Sequence, residues 1–314
     1  MASKPDLAGL LIAIALVLVA AGCSKKSSPA ETRGDPRPLA IYAVNYPLAY
    51  FAERLAPEQA EVVLPVPPDV DPAFWKPSPE VIGQYQNADV ILLNGAGYAR
   101  WTDYATLPAT RTVVTAEGCR ESFLPSGVGL KHQHGPDGEH AHGDTAFTTW
   151  LDLRLALCQA RHVRDALVDL VPSEEKAIAA RFSELASDLT ELDARLRAAA
   201  AAWGDRPVLA SHPVYQYLAD AYDLQIESLH FEPTEPLDSD ALRALDAARE
   251  NHPGKLMLWE AAPPEATVAE LAKRGVEAVV FDPVSVPPPT GDFLTVMRVN
   301  AERFGCATGS EACP

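Results

Sequence analysis

Apolar and polar positions alternate between two periods along this chain, and the switches between them mark its elements. Leu39–Val44 is a short apolar run and reads as a first strand. Tyr46–Leu55 carries helical spacing, Glu61–Val66 reads as a strand, and a proline-rich loop covers Pro67–Pro72. A short helix over Pro79–Asn87, a buried strand at Val90–Leu93 and a strand at Thr112–Thr115 follow. Leu153–Leu170 is apolar at three- and four-residue intervals until Pro172 breaks it, with Ser173 placed to cap the next helix. That helix runs from Glu174 to Ala202 without Gly or Pro; Phe182, Leu185, Leu189, Leu192 and Leu196 form its apolar stripe. Its length is on the order of 40 Å, enough for a rigid spine between two lobes, with half of a helical hairpin as the plainer alternative. The alternation then resumes: strands at Pro207–Ser211, Gln225–Leu229, Lys255–Trp259 and Ala278–Phe281, helices at Val214–Ala221, Leu237–Glu250, Pro264–Arg274 and Phe293–Phe304. Strands alternating with helices on both sides of one long helix predict two Rossmann-like α/β lobes with parallel sheets.

The first 22 residues read as a signal peptide, with Lys4 ahead of an apolar run, Leu7–Val19, too short for a confident membrane span. Small residues before Cys23 resemble a bacterial lipoprotein signal, in which Cys23 takes a diacylglycerol anchor; cleavage near Ala21 is the plainer alternative. Residues 23–38, rich in Ser, Pro and charge, read as a flexible tether. The expected layout is then an N-terminal lobe over 39–152, linking helices over 153–203, a C-terminal lobe over 204–304 and a tail over 305–314. Export permits disulfides: Cys306 with Cys313 is a plausible local bridge, and Cys119 and Cys158 either pair or stay free.

The formal charge of −17 opposes binding to nucleic acid, and suits cations. Half of the eight histidines, His132, His134, His140 and His142, fall within Lys131–Asp144, where Gly135, Pro136, Gly138 and Gly143 argue against helix or strand. Such a tract reads as a metal collector, against the plainer reading of a solvated loop. In open parallel sheets ligands bind beyond the carboxyl ends of the strands. In the second half that position is filled by His212, His230, Glu260 and Asp282. Taken singly, a strand-end Asp caps a helix and a lone His is core; taken together they form a metal-ligand set of the N and O type that Zn²⁺ accepts. No G-x-S-x-G, glycine-rich phosphate loop or H-E-x-x-H is present, so an enzyme is the weakest reading.

Pro72–Pro79 (PAFWKPSP), Asn87–Gly95, Thr148–Asp152 (TTWLD), Ser211–Tyr217 (SHPVYQY) and Val279–Pro283 (VVFDP) resemble the zinc/manganese solute-binding lipoproteins of bacterial metal-uptake ABC transporters, over about residues 39–304. The resemblance implies two lobes joined by a rigid helix, a metal between them, and delivery of Zn²⁺, with Mn²⁺ second, to a membrane permease by a monomeric, lipid-anchored exported protein. The family's acidic, His-rich loop is similar to residues 131–144. Of its four ligand positions, two match, at His212 and Asp282. The other two fall on Ala73 and Thr148, which are not histidines. Three explanations compete: the His-rich loop supplies replacements, His140 and His142 being nearest Thr148; Glu260 or His230 completes a rearranged site; or the site has changed ligand. A non-metal ligand on the same scaffold, and a permease-independent chaperone or adhesin, stay open as alternatives.

Overall fold

The computed structural model describes residues 37–68, 70–126, 131–133, 139–141 and 145–307. The first half builds a sheet from β1 (Leu39–Ala43), β2 (Ala60–Val63), β3 (Val90–Leu93) and β4 (Thr112–Val114), all parallel, in the order β2-β1-β3-β4. Helices α1 (Tyr46–Leu55) and α2 (Pro79–Asn87) provide two of its crossovers. Both start as their sequences dictate. The side chain of Asn45 accepts from the Leu48 N–H and that of Ser78 from the Val81 N–H, with proline in the first turn of each helix, where it costs no hydrogen bond.

The expectation that glycine and proline exclude strands from the His-rich stretch is corrected. Antiparallel strands β5 (Lys131–Gln133) and β6 (Glu139–Ala141) pair there, three residues each. In sequence the breakers, at 135, 136, 138 and 143, fall outside both strands.

Helix α3 (Leu153–Leu170), capped by Asp152, leads to α4 (Glu175–Trp203). Its 29 residues correspond to roughly 43 Å. Ser173 does not cap it as expected; residues Pro172–Glu174 form a 3₁₀ turn that feeds straight into the helix, and no side chain caps its start. Leu185, Leu189, Leu192 and Leu196 are buried as the stripe requires, and Gly204, at φ +67°, ends the helix.

The second sheet comprises β7 (Val208–Ala210), β8 (Ile226–Ser228), β9 (Leu256–Trp259) and β10 (Glu277–Val280), again parallel, in the order β10-β9-β7-β8. The inner strands β7 and β9 are apolar and buried at every position, as strands covered on both faces must be, whereas Glu227 and Glu277 lie on the edge strands. Helices α5 (Gln216–Ala221), α6 (Ser239–Asn251), α7 (Glu265–Lys273) and α8 (Phe293–Ala307) complete the lobe.

Residues 38–314 form one compact unit, because the lobes share an apolar core. Tyr50 and Phe51 of the first lobe pack on Phe293 of the second. Backbone ties reinforce this contact: the buried Trp150 indole N–H donates to the Pro283 carbonyl at 2.6 Å, Tyr46 N–H to the Ser285 carbonyl at 3.0 Å, and the Tyr217 hydroxyl to the Ala146 carbonyl at 3.0 Å. Cys119 and Cys158 are disulfide-bonded to each other, and Cys306 is disulfide-bonded as well. Cys23 and Cys313 lie outside the described residues.

Candidate metal site between the lobes

The strand order of the second sheet sets the geometry of the site. Asp282 follows β10, Glu260 follows β9, His212 follows β7 and His230 follows β8, so the four stand along one sheet edge in the order Asp282, Glu260, His212, His230. Adjacent strands are ~4.8 Å apart, which brings each side chain within reach of the next. Backbone bonds extend the ladder past the strands and fix these positions: Ser211 N–H to Leu258 O, Phe231 N–H to Ser211 O, Phe281 N–H to Trp259 O.

His212 is the centre of this row. It is only 6% exposed, and its Nδ1 lies 3.3 Å from Glu260 Oε1. Burial by itself would lower the imidazole pKa. The hydrogen bond and charge of Glu260, helped by Glu232 and Asp71, outweigh burial and hold it above its ordinary value of 6.5. Asp282 is also pushed above the ordinary carboxylate range: burial raises it, the Val284 N–H lowers it, Glu260 raises it and Arg303 lowers it. The Asp282 carboxylate accepts that N–H at 2.7 Å, while Asn300 binds the residue's backbone on both sides. Val284 itself is buried with φ +59°, a left-handed conformation that costs a β-branched residue strain. The Asp282–Ser285 turn is therefore held by its surroundings: the carbonyls of Pro283 and Ser285 accept the inter-lobe bonds from Trp150 and Tyr46.

His230 is exposed, with its ring perpendicular to that of His212 at a centroid distance of 6.2 Å. Among the described residues, no three ligand atoms of this row lie within 4.8 Å of one another, so the side chains must converge by rotation to surround an ion.

The first lobe closes over this edge. Ala73 and Thr148, at the resemblance's remaining ligand positions, are buried, at 2% and 4% exposure. Ala73 offers no ligand atom, and the Thr148 hydroxyl donates to the Val214 carbonyl, a tie between lobes. A narrow cleft remains, lined by Ser126, Thr145–Thr148, Pro213 and Gln216. Behind it the strand ends of the first sheet carry a buried polar network: Asn45 and Gln159 donate to Asn94 Oδ1, Gln159 also to the Thr115 hydroxyl, and Asn94 to the Phe147 carbonyl. These bonds hold the segment that carries Thr148 and Trp150.

Two acidic groups were missed by reading the sequence. Asp71, in the proline-rich loop, and Glu232, two residues past His230, both act electrostatically on His212. Asp71 also raises the buried Tyr98 hydroxyl, after burial itself, and that hydroxyl has no hydrogen-bond partner among the described residues. Asp71 lies eight residues past the end of β2, too far for the strand-end rule to single it out. Its carboxylate accepts from the Ala73 N–H at 2.9 Å, two residues before the vacant ligand position. Glu260, Glu232 and Asp71 thus surround one imidazole with negative charge, which favours a cation there.

Of the histidine-rich stretch, register places His132 opposite His140 across the hairpin. His134 and His142 lie outside the described residues. A bridge between Pro125 and Thr145 joins the flanks of the stretch three residues before Thr148.

Comparison with known proteins agrees with this architecture. The family model "Zinc-uptake complex component A periplasmic" matches residues 41–306. The high-affinity zinc uptake system protein ZnuA of Bacillus subtilis is 24% identical over 264 residues, 80% of either chain. Zinc-binding protein AdcA of Streptococcus pyogenes is 24% identical over 86% of this chain, which spans 56% of that longer relative. The crystal structure of the Zn(II)-bound ZnuA-like domain of Streptococcus pneumoniae AdcA superposes with a TM-score of 0.73 at 19% identity, covering 86% of this chain and 99% of that one. FpvC of Pseudomonas aeruginosa in complex with Mn²⁺ gives 0.68 at 20% identity, covering 88% and 100%. With its two parallel-sheet lobes, spanning helix and strand-end donors, this chain belongs to the ZnuA family of periplasmic zinc-uptake components.

Proposed function

We infer that the protein is the extracytoplasmic capture component of an ABC metal importer, which binds Zn²⁺, with Mn²⁺ as the second candidate, and hands it to a membrane permease. The observation that carries this reading is the row Asp282, Glu260, His212, His230 at one sheet edge, with His212 buried beneath the first lobe. Relatives named for zinc uptake and zinc binding support the choice of cargo.

The chemistry is capture without a covalent step. The surplus of carboxylates draws a divalent cation into the cleft, and the ion competes with the proton whose binding to His212 Glu260 favours. One imidazole with the carboxylates of Glu260 and Asp282 makes three ligands; His230 is the candidate for the fourth, with Asp71 contributing charge. Carboxylate ligands in place of the two absent histidines shift the donor set toward oxygen, which weakens discrimination against Mn²⁺. The lobe interface, bonded through Trp150, Tyr46 and Thr148, limits capture to side-chain rotation and a small closure. In this reading His132, His134, His140 and His142 gather ions for the site, and Cys23 anchors the monomer to the membrane through residues 23–38.

The test is metal content by mass spectrometry followed by competitive zinc titration, with and without residues 131–144. One tightly held zinc that survives the deletion supports the inter-lobe site. Tight zinc lost on deletion moves the ligands into the histidine-rich stretch. No zinc in either form overturns the metal reading and favours a non-metal ligand.

A further inference from the structure

Away from the inter-lobe cleft, Cys119 on the 3₁₀ segment Glu117–Ser122 faces Cys158 and His162 on α3. Cys158 and His162 are four residues apart, so they share one helix face. The ligand atoms of all three lie within 4.8 Å of one another, which no other trio of His, Cys, Asp or Glu achieves among the described residues. The imidazole is also prepared for a ligand role. Its Nδ1 sits 2.9 Å from the Cys158 carbonyl, an acceptor only, so the neutral ring carries its proton on Nδ1 and presents the Nε2 lone pair. A backbone carbonyl on the distal nitrogen is the usual way a metal-binding histidine is oriented. Gly118 makes the room: a Cβ there would come within 2.4 Å of Nε2.

We propose that Cys119, Cys158 and His162 form a second metal site, closed while the disulfide is intact and able to take Zn²⁺ when a dithiol reduces it. In the first step the dithiol is oxidised to its own disulfide, the Cys119–Cys158 bond breaks, and each sulfur gains a proton. In the second, Zn²⁺ binds both sulfurs and His162 Nε2, releasing the two thiol protons, while water fills the fourth position. Zinc bonds of about 2.3 Å to sulfur and about 2.0 Å to nitrogen require ligand atoms roughly 3.5–3.8 Å apart, a spacing that lies inside the 4.8 Å enclosing the three ligand atoms. The site uses none of the inter-lobe residues. In the oxidising exported compartment it stays shut, so metal binding there reports thiol reduction.

The experiment uses Co²⁺ as a spectroscopic stand-in for Zn²⁺ in the purified His212→Ala protein, which removes the inter-lobe ligand. Spectra and metal content are recorded before and after treatment with dithiothreitol, with excess reductant removed. We expect thiolate-to-cobalt charge-transfer bands and one added metal per chain only after reduction. A Cys119→Ser/Cys158→Ser variant, which keeps Cys306 and so controls for thiols released there, should lose both signals; His162→Ala, which keeps Cys119 and Cys158, should weaken binding at least tenfold. The proposal is overturned by equal metal before and after reduction, by added metal that persists in the double serine variant, or by indifference to His162→Ala. Loss of the far-ultraviolet dichroism on reduction overturns it too, since the site needs a folded frame.

Discussion

Replacing His212 with alanine tests the inter-lobe site most directly. The ring is buried, contacts Glu260 at 3.3 Å and is the only imidazole of the row withdrawn from solvent. Apparent zinc-binding free energies of about 10–16 kcal/mol, shared among four ligands, give roughly 3 kcal/mol per ligand, or on the order of a hundredfold in affinity. The same loss reappears in stability. At zinc 1,000-fold above the native dissociation constant, binding adds about 4.1 kcal/mol; after a hundredfold weakening the same zinc adds about 1.4 kcal/mol. The zinc-induced rise in Tm should therefore shrink by several degrees, at ~2–4 °C per kcal/mol. Competitive titration against a chromophoric chelator reads the affinity, and calorimetry with and without zinc reads the stability. Unchanged affinity in a variant whose metal-free melting is intact would refute the assignment of His212 and place the metal elsewhere.

Further expectations follow from the same geometry. Because the folded-state pKa of His212 is raised, the proton's stabilising contribution to the metal-free protein is fully present below about 6.5 and is lost as pH rises through the folded value. Zinc must displace that proton, so affinity should fall with acidification from above pH 6.5 downward; equal affinity at acid and neutral pH, by titration, would contradict this. Asp71→Asn should weaken zinc only threefold to tenfold, since Asp71 is exposed and its charge is screened, and a hundredfold loss would make it a direct ligand. Trp150→Phe removes the indole donor and leaves the buried Pro283 carbonyl unpaired, at a cost of about 2–3 kcal/mol, visible in chemical denaturation. A loss below about 0.5 kcal/mol would mean that the inter-lobe bond adds nothing to stability.

The long helix was readable because its 29 residues lack Gly and Pro and carry an apolar stripe at helical spacing. The strands were readable for a related reason: β7 and β9 are continuous apolar runs, and only a two-sided burial suits them. The placement of His212, Glu260 and Asp282 at strand ends was readable because a polar residue directly after such a run lies at the carboxyl edge of a sheet. The His-rich stretch was misread, since its breakers were counted without regard to the three-residue runs they leave intact, Lys131–Gln133 and Glu139–Ala141.

The sequence alone determined the alternation of elements, the two-lobe architecture and the chemical types at the strand ends, all of which depend on local periodicity and on residues near in the chain. Tertiary structure decided which of those residues meet. Strand order, β10-β9-β7-β8, put Glu260 beside His212 although 48 positions separate them, and left His230 exposed at the rim. Packing of the first lobe brought Asp71 within electrostatic reach of His212 and turned Thr148 from a ligand position into an inter-lobe tie. It also brought Cys119 to Cys158 across 39 residues and left space at Gly118 for the His162 ring. Each of these depends on strand order and inter-lobe docking, which set distances between residues far apart in the chain and leave no periodic trace in it.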